Sequence, residues 1–206
     1  LEKYPNLLPE SLKNVSCITK NWDQLWKLDD EMAKMFDSVD SEQMETINRY
    51  TRESVSKTSF NYLLIDPRIS KKSWKTFIDA IFYIGKGTGS RQLEHMYDAF
   101  KKKGSQEKSS KVQRILEIWN AGVGVVSLKV FENRIAVDAY TREAAMIDAM
   151  GLDNLTNVKP GDYYGPAKTW EKNKQQQLGT FLLYRAFQNF EDEGGQQIRE
   201  VDLKKK

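Results

Sequence analysis

Cysteine and histidine are almost missing from this 206-residue chain, which has one of each, Cys17 and His95. A single thiol excludes an internal disulfide framework, and the pair excludes a Cys/His zinc site. Such usage suits a reducing, intracellular compartment. Long apolar runs are missing too. Nothing approaches the ~20 residues that cross a bilayer and no hydrophobic signal segment opens the sequence, so neither a membrane span nor export is expected. Neither sign of charge dominates, since 32 Lys and Arg against 29 Asp and Glu leave a net +3. That is too mild for net charge to point to nucleic acid by itself. Internal repeats are absent, as are low-complexity segments outside the lysine-rich patches.

What is present is a soluble globular composition, 39% hydrophobic and 30% charged, sized for one domain with elaborations or a domain plus a helical appendage. Lysines gather in KKKGSQEKSSK (Lys101, Lys102, Lys103, Lys108 and Lys111) and in the terminal KKK, and acids gather between Asp37 and Glu42 and near Glu191. Runs of this kind form solvated faces unless other features recruit them. Residues 1–57 carry Trp22, Leu25, Trp26, Leu28, Met32, Met35 and Phe36 at helical spacing and read as two or three helices. FNYLLIDP and AIFYIG read as two short strands that pair antiparallel, joined by a charged connection from Arg68 to Lys75. Gly85, Gly87 and Gly89 are expected to break the second strand. Helices follow over Ser90 to about Lys103 and Ser110 to Trp119, then a third strand in GVGVVSLKVF. TREAAMIDAMG reads as a helix closed by Gly151, LTNVKPGDYYGP as a loop, and QLGTFLLYRAFQNF as a closing apolar helix.

The glycines of FYIGKGTGSRQLEH do not make a nucleotide loop. A Walker loop requires Gly, four residues, then Gly-Lys-Ser/Thr, and Lys86 comes too early; a dinucleotide fingerprint requires a third glycine where Ser90 stands. A glycine-rich turn entering a helix still offers backbone N–H groups to an extended polyanion. On that helix Arg91, His95, Asp98 and Lys102 share one face, nearly opposite Leu93 and Phe100, so Arg91 and His95 are expected to point away from the core. Arginine there offers a cationic fork to a phosphodiester, and histidine a proton donor or acceptor near neutral pH. Glu143 is the complementary oddity. It begins the inward stripe of Met146, Ile147 and Met150, where an unpartnered carboxylate costs several kcal/mol. A buried salt bridge, a helix-dipole contact or a ligand role for a hard divalent cation would each explain it.

With FNY (Phe60-Asn61-Tyr62) and YIG (Tyr83-Ile84-Gly85) as the two motifs, the chain resembles the GIY-YIG nuclease family. Arg91 and His95 match that family's arginine and histidine four residues apart, Glu143 its metal-binding glutamate and Asn157 its late asparagine. The first motif departs from the type pattern by having Phe-Asn where Gly-Ile is usual, and the connection between motifs is long. YLLIDPR, FYIGKGT, TREAAMIDAMG, LTN, YYG and LGTFLLYRAFQNF, spread from Ser59 to Gly195, resemble the nuclease end of the animal ankyrin-repeat and LEM-domain endonucleases. No ankyrin or LEM segment is visible, so a C-terminal piece of a longer chain is expected.

The resemblance implies an α/β fold, a small three-stranded, mainly antiparallel sheet flanked by helices. The expected division is a helical N-terminal extension at residues 1–57, read from its periodicity and outside the resemblance, a GIY-YIG core at 58–165 and a helical segment with basic tail at 166–206. It implies a metal-dependent, structure-selective DNA endonuclease acting on branched or chromatin-bridge DNA, in the nucleus or cytoplasm, the midbody included, and leaving a 5′-phosphate and a 3′-hydroxyl. One Mg2+ or Mn2+ would sit on Glu143, which suits an ion that keeps most of its water. Tyr62, Tyr83, Arg91, His95, Glu143 and Asn157 form the implied catalytic set, with the choice of base open among Tyr62, Tyr83 and His95. Gly85, Lys86, Gly87, Lys101, Lys102, Lys103 and Lys111 are the expected DNA contacts. A homodimer through the helical extensions is a further expectation. Two rivals are a noncatalytic DNA-binding or scaffold module that keeps the fold, and a nucleotide-cofactor enzyme using the glycine loop.

Overall fold

FNYLLI forms a strand buried at every position, β1 (Ser59–Ile65), as a central strand covered on both faces must be. A computed structural model of the chain describes residues 12, 22–37, 57–69 and 73–205. β1 pairs antiparallel with β2 (Ile81–Thr88) on one side and with β3 (Val125–Arg134) on the other. A fourth strand, β4 (Gln196–Ile198), adds to β3, giving the order β2-β1-β3-β4. The expected three strands are therefore four. The added one is only three residues long, too short to show a period of two in sequence.

The sheet divides the core. Leu63, Ile65, Ile81 and Ile84 pack on one side with α5 (Ala136–Met150), α6 (Lys172–Glu193) and α1 (Trp22–Asp37). Phe60, Tyr62, Leu64 and Phe82 pack on the other with α3 (Arg91–Lys101) and α4 (Ser110–Asn120). α5 ends at Gly151, whose φ of +77° suits glycine. Gly179 lets α6 lie against α5, because a Cβ there would sit 1.8 Å from the carbonyl oxygen of Ala145.

Several sequence expectations change. Part of the charged connection is a helix, α2 (Trp74–Ala80), opened by a capping box between Ser73 and Thr76. β2 runs through Gly85 and Gly87 to Thr88. Only Gly89, with φ +55°, belongs to the turn into α3. The glycines stay in the strand because β1 continues to pair with them, Tyr62 opposite Gly85 and Phe60 opposite Gly87. α6 does not close the chain, which returns through β4 and a 3-10 turn, Glu200–Lys205. Of the helices expected in residues 1–57, α1 and Leu12 lie among the described residues; the rest lies outside them.

Candidate active site along strand β2

Gly85 makes the site. A Cβ at this position would lie 2.4 Å from Cζ of Tyr62, so only glycine lets the Tyr62 ring cross over the neighbouring strand. From there the Tyr62 hydroxyl meets Nε2 of His95 at 2.7 Å. Tyr83, two residues before Gly85, completes an aromatic cluster, its ring centroid 6.1 Å from Tyr62 and 4.8 Å from His95. Gly87 does the same for Arg91, whose Cβ would be 2.6 Å from an added methyl group. The faces of both glycines are thus filled by the chain's own side chains.

His95 corrects the helical-face expectation. It is buried, 7% exposed, along with Gln92, Met96 and Ala99. Those positions form the i, i+3, i+4, i+7 stripe that meets the sheet, while Leu93 and Phe100 are only partly buried. Gln92 and His95 are polar, so the true inward face did not read as apolar. Arg91 remains exposed at the helix start, paired with Glu94.

β2 is an edge strand, and its outward backbone groups are capped one after another. Thr156 donates from its backbone N–H and its hydroxyl to the Phe82 carbonyl, at 2.7 and 2.8 Å. Asn157 clamps Ile84, accepting from its N–H at 3.1 Å and donating to its carbonyl at 2.7 Å. Glu143 accepts from the Lys86 N–H at 3.1 Å. One carboxylate and one amide from distant segments thereby extend a sheet edge that would otherwise be unpaired. Asn61, one of the two residues that depart from the usual first motif, donates to the Ala139 carbonyl of α5 at 2.8 Å, tying the strand to the helix that bears Glu143.

Tyr83, Lys111, Tyr140, Glu143, Asn157 and Asp162 line a cleft of about 410 Å3. Lys111 lies with Nζ 4.1 Å from the Tyr83 ring centroid, and Lys86 with Nζ 4.4 Å from that of Tyr140. Lys101, Lys102 and Lys103 are exposed at the far end of α3, ~15 Å along the helix from Arg91, and Lys103 pairs with Glu200 at 2.9 Å. Sequence reasoning missed Tyr140 and Asp162. Tyr140 had a legible signal, being three residues before Glu143 on one helix face; Asp162 sits in a loop with none.

Burial sets the protonation states. Burial first, then the charge of Lys111 and Arg91, push His95 down to about 3, so it is neutral at physiological pH and does not titrate near neutrality as the sequence suggested. Burial pushes Glu143 up to about 7 against the opposing Lys86 N–H and ammonium, with Asp162 adding to the rise. Both tyrosines are raised by burial. The Tyr62 hydroxyl interacts with Tyr83 so as to raise its own pKa further and lower that of Tyr83. Burial lowers Lys111 to about 8.

Among the described residues, no group of three or more His, Cys, Asp or Glu converges. A soft or tetrahedral metal has no donor set here. Hard oxygen donors, Glu143 with Asp162 lining the same cleft, fit an ion of the Mg2+ type, which keeps several waters.

The family model of the LEM-3-like GIY-YIG domain matches residues 59–205. Ankyrin repeat and LEM domain-containing protein 1 of Mus musculus is 42% identical over 166 residues, 74% of this chain and 31% of that protein. Its Homo sapiens counterpart is 39% identical over 192 residues, 85% of this chain and 30% of that protein. The Caenorhabditis elegans homolog is 34% identical over 154 residues, 70% of this chain and 22% of that protein. The chain therefore spans less than a third of the length of these curated relatives. No solved structure matches it.

Proposed function

The chain belongs to the family of LEM-3-like GIY-YIG domains, and on that premise we propose that it is a divalent-metal-dependent DNA endonuclease, hydrolysing phosphodiester bonds in branched or chromatin-bridge DNA to 5′-phosphate and 3′-hydroxyl ends. The observation that carries this reading is one cleft lined by Tyr83, Glu143, Asn157 and Lys111, with the rings of Tyr62, tilted, and His95, edge-on, packed against Tyr83.

Tyr62 is 1% exposed and does not meet water, whereas Tyr83 lines the cleft. The Tyr62 hydroxyl and Nε2 of His95 share a hydrogen bond of 2.7 Å whose donor is set by the imidazole tautomer, and the same hydroxyl acts on Tyr83, lowering its pKa. Tyr83 is the tyrosine that lines the cleft, and as its phenolate, favoured by the charge of Arg91 and of a bound cation against the burial that opposes it, it takes the proton of the attacking water and becomes the neutral phenol. The water oxygen bonds to phosphorus, the P–O3′ bond breaks, and the 3′ oxygen takes a proton from solvent. Lys111 in the cleft lining and Arg91, exposed at the start of α3 and paired with Glu94, would neutralise the nonbridging oxygens, where charge develops. Glu143 would hold Mg2+ or Mn2+, which when bound supplies positive charge to the phosphate and the leaving oxygen. Asn157 keeps the cleft loop on β2. Gly85 and Gly87 serve by admitting the Tyr62 ring and the Arg91 stem, and the DNA contacts fall to Lys86 and Lys111 beside the cleft.

The test is incubation of the chain with four-way-junction and linear duplex DNA, with and without Mg2+, read on a denaturing gel. The reading expects magnesium-dependent cuts with branched preference in the wild type and a loss of about 10²-fold or more in Glu143→Gln. Near wild-type cleavage by that variant overturns the mechanism. Binding of DNA without cutting identifies the noncatalytic module instead.

A further inference from the structure

Arg142, the neighbour of Glu143 on α5, is the largest fully buried side chain of the described residues. Its Nε donates to Asp138 at 2.8 Å, and Arg134 approaches the other oxygen of Asp138 at 3.6 Å. The Phe131 ring lies 5.0 Å from the guanidinium carbon. Two arginines thus share one buried α5 carboxylate, Arg142 fully buried and Arg134 partly exposed. The balancing charge comes from Asp29 of α1, whose Oδ1 stands 2.7 Å from Nη1 of Arg142 as an ion contact outside hydrogen-bond geometry. Without it, a cation is left uncompensated in the interior.

α1 lies outside the stretch that matches the family, residues 59–205. It is nonetheless packed into the core through Leu25, Met32 and Phe36. Asp29 at Arg142 is one of several ties that set α5, beside Asn61 at the Ala139 carbonyl, the close approach of Gly179 at Ala145, the Tyr164 N–H at Thr141 and Tyr163 at Asp148. Glu143 projects from the same turn as Arg142, so a rotation of α5 that answers the loss of Asp29 carries the carboxylate away from the Lys86 N–H.

We propose that α1 is part of the catalytic unit, with Asp29 a positioning residue that, through its ion pair with buried Arg142, sets the orientation of α5 and hence of Glu143 in the cleft. The inference rests on Glu143 as the cation-holding carboxylate. Outer groups that orient a ligand typically alter metal affinity by 10–100-fold when removed. α1 is then as necessary to the site as the strands, although it is separate from them in sequence.

The experiment uses the full chain as wild type, Glu143→Gln, Asp29→Asn, Asp29→Glu and the double variant Asp29→Asn/Arg142→Met. Two readouts are taken, the rise in unfolding midpoint with Mg2+ or Mn2+ in the absence of DNA, and four-way-junction cleavage against metal concentration. Asp29→Asn is expected to need about tenfold more metal for both half-maximal effects. Asp29→Glu should restore most of the affinity. The double variant removes both charges, so its metal-free midpoint should recover toward wild type while the tenfold shift persists. A metal response in Asp29→Asn equal to wild type, or one that returns to normal in the double variant together with the midpoint, overturns the positioning role. An unchanged metal response in Glu143→Gln overturns the assignment of Glu143, and this inference with it.

Discussion

Glu143 is a carboxylate whose burial favours its protonated form. Its folded pKa, raised to about 7 from an ordinary 4.5, contributes stability that is fully present below the unfolded value and is lost as pH rises through about 7. In metal-free buffer, urea unfolding should show a loss on the order of 3 kcal/mol between pH 4.5 and pH 8, and Glu143→Gln should lack that share of the slope. Tyr62 and Tyr83 separate by a different readout. Tyr83→Phe removes the oxygen that faces the cleft and should lower cleavage about 10²-fold or more. Tyr62→Phe keeps that oxygen but removes the interaction that lowers its pKa, so its rate profile should shift to higher pH. A profile unchanged by Tyr62→Phe would remove the influence of Tyr62 on Tyr83. His95, held down at about 3, should add no limb to that profile near pH 6.5.

Strand β2 carries the site as an element, with alternate residues doing different work. Its cluster-facing positions hold Tyr83 and the two glycines that make room, and its outward edge is capped by Thr156, Asn157 and Glu143. Gly85→Ala places a methyl group 2.4 Å from the Tyr62 ring and should cost about 1–3 kcal/mol of stability. It should also cost about 10²-fold in cleavage by displacing the ring, as thermal melts and a gel assay would show. Asn157→Ala leaves both polar groups of Ile84 without their caps, and amide exchange at Ile84 should accelerate first. β2 and β3 were visible as runs of β-branched and aromatic residues, and α3 to α6 as helical periods. α2 and β4 were not, since seven and three residues are too few for a period to stand out.

At the scale of the whole molecule, a net charge of +3 gives little general attraction for DNA, so affinity depends on where cations sit. Lys86→Ala and Lys111→Ala should each reduce the slope of log K against log salt by about 1, measured by titration of a four-way junction; slopes equal to wild type would remove both from the DNA track. No described helix is long and apolar enough to cross a membrane. By itself the sequence determined the longer elements, since period is local, and its motif spacing singled out Tyr83, Arg91, His95, Glu143 and Asn157 as candidates. Only the tertiary structure decided which way they face and what covers them. His95 points inward because Tyr62 crosses Gly85 to meet it, the glycines stay in the strand because β1 pairs with them, and Arg142 is buried because Asp29 arrives from another helix. A period assigns a side chain to a face, and only packing between distant segments sets what lies against that face.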